Sequence, residues 1–180
     1  LREQQTGGAT DQLGLFSRSL LNSPLTAKGL AEAFGAHANL PFAPDYANRL
    51  AQIDFSALSG FLRGFIDLVF EHDGRWYVVD YKSNRLGRTP QDYAPDRLPP
   101  VMMSHHYVLQ YHLYVVALHR YLNQRLPRYD YERHFGGVYY LFLRGMAPRY
   151  ARGNGVYYDR PPRRLIERLT SLLDGAGGRR

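Results

Sequence analysis

The 180 residues suit one domain, and 44% apolar with 22% charged side chains are the proportions of a globular chain able to bury a core. No cysteine is present, which excludes disulfide frameworks, thiol catalysis and cysteine-ligated zinc. The net charge of +7 is uneven: residues 1–84 carry seven Lys/Arg against nine Asp/Glu (−2), and residues 85–180 carry 16 against seven (+9).

A basic half beside a slightly acidic one points to a polyanion-facing surface next to a site that collects carboxylates. The alternative source of the charge is an arginine-rich composition, since only Lys28 and Lys82 are lysines. Against that background a lysine at position 82 stands out. No apolar run approaches the roughly 20 residues of a membrane span and no secretory signal opens the chain, so a cytoplasmic protein without a membrane partner is expected. The chain opens on Leu1 and closes on Gly-Gly-Arg-Arg. It reads as part of a longer polypeptide, with residues 1–180 forming one partial domain and residues 1–10 and 175–180 disordered.

In chain order, Asp11–Asn22 has helical spacing (Leu13, Phe16, Leu20, Leu21) and ends at Ser23-Pro24. Leu30–Phe42 is Ala-rich and broken by Gly35, and a strand is expected there. Residues 43–58, with Pro44, Asp45 and Asn48, read as a connection with a helical turn. Phe65–Phe70 and Trp76–Tyr81 are β-branched and aromatic runs around Asp73-Gly74, the pair favoured in a type I′ hairpin turn. Residues 85–101 hold four prolines and read as a loop. Val101–Leu122 has neither Gly nor Pro and predicts one long helix. Gly136-Gly137 introduces a buried strand over Val138–Leu143, Val156–Tyr158 a short strand, and Arg163–Leu173 a closing helix. This order predicts an α/β fold with a mixed sheet.

The hairpin turn sets a register. With Asp73 and Gly74 central, Val69 faces Val78, Leu68 faces Val79 and Asp67 faces Asp80. Asp67, Val69, Val78, Asp80 and Lys82 then share one face, and Ile66, Leu68, Phe70, Tyr77, Val79 and Tyr81 share an apolar face expected to pack on helices. A four-residue loop would make Asp67 diagonal to Asp80 on the same face, and an odd-length loop would separate them. Two carboxylates with Cβ atoms about 5 Å apart repel. A hard divalent cation such as Mg²⁺ resolves that repulsion and takes phosphate oxygens as further ligands. Lys82 would stabilise charge on a phosphate or help position and deprotonate the attacking water. The competing reading is a structural Asp–Lys ion pair at a sheet edge.

Gly64-Phe65-Ile66-Asp67-Leu68-Val69-Phe70 followed by Val79-Asp80-Tyr81-Lys82-Ser83-Asn84 resembles the nuclease motif of the RecB family within the PD-(D/E)xK superfamily. His106-Tyr107 through Gln110 and Tyr114, continued by Ala117–Leu122, resembles that family's QxxxY helix, and residues 129–145 resemble its C-terminal region. The resemblance is strong over residues 60–145, weak before them and general in pattern after them. It implies a restriction-endonuclease-like mixed β-sheet flanked by helices, truncated at its N-terminus. The implied activity is Mg²⁺-dependent exonucleolytic hydrolysis of DNA in double-strand-break repair and recombination, with Ca²⁺ able to occupy the site without turnover. The implied partners are DNA, RecC-like and RecD-like subunits, and a RecA-like recombinase.

Carried over by position, Asp67, Asp80 and the carbonyl of Tyr81 would be metal ligands and Lys82 the catalytic lysine. Gln110 and Tyr114 would support the site and contact DNA, core packing being the alternative for Tyr114. The family's upstream histidine ligand would precede Leu1. Glu32 is the nearest candidate for its glutamate on the strand before the hairpin, the alternative being a solvated side chain. A catalytically incomplete docking module for partner subunits or a recombinase is the competing function.

Arg85, Arg88 and Arg97 follow the lysine and, with Arg149 and Arg152, could hold backbone phosphates; a solvated charged loop is the alternative. Some of the fifteen tyrosines could stack on single-strand bases, but Tyr107, Tyr111 and Tyr121 at helical spacing read as core. His105, His112 and His119 recur every seven residues, a spacing that does not suit zinc, so a partly exposed stripe or a partner contact is expected. There is no Walker loop.

Overall fold

The computed structural model describes residues 26–37, 45–54 and 65–174. The helix expected over Asp11–Asn22 and the frayed ends expected at 1–10 and 175–180 lie outside these residues.

Where a strand was expected from Leu30, a helix forms, α1 (Ala27–Gly35). Its start is set by Thr26, whose Oγ1 accepts a hydrogen bond from Gly29 N at 3.0 Å. Leu30, Ala33 and Phe34 recur at i, i+3 and i+4 and are all buried. Gly35 comes at the end of the helix, where a glycine does no harm. Residues 43–58 hold more helix than one turn, α2 (Asp45–Ala51), which buries Tyr46, Ala47 and Leu50.

Strands β1 (Leu68–His72) and β2 (Arg75–Lys82) form the expected antiparallel hairpin, with Leu68 opposite Val79 and His72 opposite Arg75. Asp73 at φ 51° and Gly74 at φ 74° give both central residues the positive φ of a type I′ turn. The ladder ends at Leu68, one residue short of the expected Asp67–Asp80 pair.

The proline-rich stretch is not loop throughout. It contains 3₁₀ turns at Pro90–Tyr93 and Pro95–Arg97, then helix α3 (Leu98–Ser104). Pro99 and Pro100 fall in the first turn of α3, where a missing N–H costs nothing. The expected single helix over Val101–Leu122 is therefore two, α3 and α4 (Tyr107–Arg125), separated at His105 and His106. His106 sits at φ 53°, which no continuous right-handed helix allows. Helix α4 is buried on nearly every side, including Val108, Leu109, all of Tyr111–Leu118 and Leu122.

A short helix α5 (Tyr131–His134) leads into β3 (Phe135–Phe142), which starts earlier than expected. β3 runs parallel to β2, pairing Asp80 with Tyr140 and Lys82 with Phe142. Both glycines at its start are needed: a Cβ on Gly136 would lie 2.2 Å from the Tyr77 ring, and one on Gly137 would lie 2.5 Å from the Tyr158 ring. β4 (Val156–Asp159) and α6 (Arg163–Asp174) close the chain as expected. The sheet order is β1-β2-β3-β4, mixed, with α4 and α6 in one core with Val78, Val138 and Tyr140.

The packing of the hairpin is inverted from expectation. Val78 is wholly buried in the core with the helices, whereas Leu68 is 39% and Tyr81 45% exposed. The face carrying Asp80 and Lys82 is thus the one that meets α4. Aromatic rings cover the opposite face instead, from Phe70 through Tyr77 and Tyr139 to Tyr158, with centroids 5.0, 6.0 and 4.9 Å apart in turn.

Candidate active site

Asp80 lies near the end of β2 and is 3% exposed; Lys82 Nζ reaches Asp80 Oδ1 at 2.6 Å. Asp67 stands just before β1, with its carboxylate turned toward the neighbouring strand rather than across a ladder pair. Asp67 Oδ2 accepts a hydrogen bond from Tyr81 N at 2.8 Å. The two carboxylates are still electrostatically coupled. Burial raises the Asp80 pKa and the Asp67 charge raises it further, while the hydrogen bond and charge of Lys82 pull it down without cancelling the rise. A buried carboxylate beside another one is a site that favours additional positive charge.

The lysine is held on all sides. Its Nζ donates to Gln110 Oε1 at 2.9 Å and stands over the rings of Tyr107 and Tyr140, 4.1 and 5.0 Å from their centroids. Gln110 Oε1 also accepts from Tyr140 OH at 2.9 Å, and Gln110 Nε2 donates to Tyr114 OH at 3.0 Å. Tyr107 OH donates to Asn84 Oδ1 at 3.1 Å, tying α4 to the segment after the lysine. Burial first, then the charges of Asp80 and Asp67, push the Tyr114 hydroxyl above its usual pKa. It therefore stays a neutral hydrogen-bonding group.

Of the residues singled out from sequence, Asp67, Asp80, Lys82, Gln110 and Tyr114 come together. Tyr81 contributes its backbone here, its ring lying on the exposed aromatic face. Arg85 and Arg88 are exposed on the segment leaving β2. That segment is pinned by Arg144 Nε to Ser83 O at 2.8 Å and by Leu86 N to Tyr93 OH at 3.1 Å. Glu32 is exposed on α1, a helix packed on α2 and α6, and not on a strand before the hairpin.

Tyr107, Tyr140 and Asn84 were missed as members of the site. Tyr107 had a signal: it precedes Gln110 by three residues and Tyr114 by seven, so all three share one helical stripe. Tyr140 had none, because its place beside Asp80 depends on the β2–β3 register. The histidines do not form a partly exposed stripe. His112 is fully buried, its Nδ1 2.7 Å from Val108 O and its ring 4.8 Å from that of Phe34. His105 is exposed and stacks on Tyr107, and His119 is half-buried against Tyr129.

Comparison with known proteins gives the family of the chain. The RecBCD enzyme subunit RecB of Escherichia coli K12 is 48% identical over 123 residues, which cover 68% of this chain and 10% of that protein. The same subunit of Haemophilus influenzae is 52% identical over 123 residues, covering 67% and 10% respectively. That of Mycobacterium tuberculosis H37Rv is 46% identical over 142 residues, covering 74% and 13%. This chain thus spans about a tenth of the length of these relatives. The PD-(D/E)XK nuclease superfamily pattern matches residues 17–176, a span that contains the Asp67–Asp80–Lys82 constellation, and the chain belongs to that superfamily as a RecB-like nuclease domain.

Proposed function

We propose that this chain hydrolyses DNA phosphodiesters with a divalent cation, Mg²⁺, held by Asp67, Asp80 and the carbonyl of Tyr81. The observation that carries the reading is the pair of coupled carboxylates beside a lysine locked by Gln110, on the end of a strand where substrate has access to Asp67. Among the described residues no group of three or more His, Cys, Asp or Glu side chains gathers. A two-carboxylate set suits Mg²⁺, which binds through one or two carboxylates and completes its shell with water and phosphate oxygens. The raised pKa of Asp80 and the close approach of an ammonium to it support the fit, since both mark a place that favours a cation.

When bound, the cation would lower the pKa of a water and offset charge on the phosphate. The chain's own residues do the rest. Lys82 directs N–H bonds at the attacked phosphate or at the water. Gln110 and the rings of Tyr107 and Tyr140 keep its ammonium in place, so little reorganisation is needed as charge develops. Arg85 and Arg88 hold flanking phosphates without reading sequence.

By analogy with the RecB subunits named above, the domain would work within a helicase–nuclease in the cytoplasm. RecC-like and RecD-like subunits would be its partners, and a RecA-like recombinase its acceptor, in double-strand-break repair and recombination. No helix among the described residues is long and apolar enough to cross a membrane.

The test is cleavage of linear single-stranded DNA in Mg²⁺ or EDTA, beside calorimetric titration with Ca²⁺. Cleavage is expected in Mg²⁺ alone. Asp67→Ala, at an exposed position, is expected to weaken calcium at least about tenfold and to lower cleavage in parallel. A chain that neither cuts nor binds calcium would overturn this reading and leave the docking-module alternative ahead.

A further inference from the structure

Beyond the strand end that carries Lys82, the chain builds a second feature. From Phe142 it passes through a 3₁₀ turn at Leu143–Gly145 and a loop that returns to β4. The ends of the loop are clamped together, Phe142 N donating to Gly155 O at 2.7 Å. The same end is also tied to the proline-rich stretch, with Asn154 Nδ2 donating to Pro90 O and Gly155 N to Tyr93 O, both at 2.8 Å. The loop encloses an open cavity of about 540 Å³ lined by Met146, Pro148, Tyr150, Arg152, Asn154 and Val156. That volume lies in the range of small-ligand sites.

The cavity has the chemistry of an unpaired nucleotide's host. Its wall combines an aromatic ring with apolar side chains, and Arg149 lies over the Tyr150 ring at 5.0 Å. The loop itself is basic: residues 143–158 contain Arg144, Arg149 and Arg152 and no acidic residue, whereas the stretch tied to it carries Asp92 and Asp96 beside Arg97. Arg149 and Arg152 are exposed. Phe142 pairs with Lys82, and Met146 follows four residues later. The cavity therefore starts within about 20 Å of the lysine along the chain.

Resting on the nuclease reading, we propose that the Met146–Val156 cavity is a base-binding subsite for single-stranded DNA. An unpaired base would stack on Tyr150, with its flanking phosphates on Arg149 and Arg152. A duplex keeps its bases in the stack and cannot fill the cavity, so the subsite selects single strands. Stacking on aromatic rings tolerates any base, so it adds no sequence preference.

The test measures binding of a fluorescent oligothymidylate and of a blunt duplex by the whole chain in EDTA, where cleavage plays no part. Tyr150→Ala is expected to weaken single-strand binding about tenfold and leave duplex binding unchanged. Tyr150→Trp is expected to restore it, which a folding defect would not. Arg152→Ala is expected to lower the salt slope of binding by about one ion. Equal loss on single strand and duplex, or no loss on either, overturns the proposal. Because binding is read without metal, a chain that shows the Tyr150 effect yet never cuts would sink the nuclease reading and leave the subsite standing.

Discussion

Lys82→Ala is expected to lower the DNA cleavage rate about 10³-fold while calcium binding does not weaken. The size follows from removing a positioned charge and proton donor from a reaction that builds negative charge on phosphate. The retained metal affinity follows from where the ammonium sits. At 2.6 Å from Asp80 Oδ1 its positive charge repels a cation held by the same carboxylate, and it is not a ligand, so its loss removes repulsion and no metal contact. Lys82→Arg is expected to rescue poorly, because a planar guanidinium does not fit the room between two tyrosine rings and one amide oxygen. Single-turnover cleavage by the two variants, with calorimetry on each, checks both statements. Wild-type turnover by Lys82→Ala would remove the lysine from the reaction.

The second large effect is on stability. Burial holds His112 down to about 4 from an ordinary value of 6.5, while the Asp159 carboxylate pulls the other way without cancelling it. Above pH 6.5 the ring is neutral in folded and unfolded chains and costs nothing. As the pH falls from 6.5 to 4 the unfolded chain takes up a proton that the folded chain refuses, and stability drops by roughly 3 kcal/mol in order of magnitude. Below pH 4 both states are protonated and the loss from this group is complete. His112→Gln, which does not titrate, should therefore fall less steeply. The measurement is the urea midpoint of each protein at intervals between pH 7 and pH 4; parallel curves would show that His112 is not the group responsible.

The hairpin was the most legible part of the sequence because its information is local. Asp73-Gly74 dictates the turn, the turn dictates the register, and the register brings Asp80 and Lys82 onto one face. What it could not say was which face looks inward. Both faces carry apolar residues, and the choice was made by α4 docking on Val78. Asp67 illustrates the same limit on a smaller scale. Parity placed it near Asp80, but the final partner of its carboxylate, the amide of Tyr81, depends on where the ladder stops. The misread strand at Leu30 came from weighting Gly35 as a breaker, although Thr26 and the i, i+3, i+4 set already described a capped helix. The split between α3 and α4 left no signal at all, since a histidine at positive φ is a tertiary outcome.

The parallel pairing of β2 with β3 has a consequence for the order in which the molecule assembles. The hairpin needs only its own two-residue turn and can close within microseconds. β3 reaches β2 only after the 52 residues between Lys82 and Phe135 have been gathered, a closure whose entropy cost precedes its reward. Tyr140, which lies on β3, arrives only with that closure. Pulse-labelled hydrogen exchange during refolding is expected to protect the amides of β1 before those of β3, and simultaneous protection would contradict this order. A growing chain would thus hold its acidic pair early, and its lysine would gain the Tyr140 side of its surroundings only once β3 has paired.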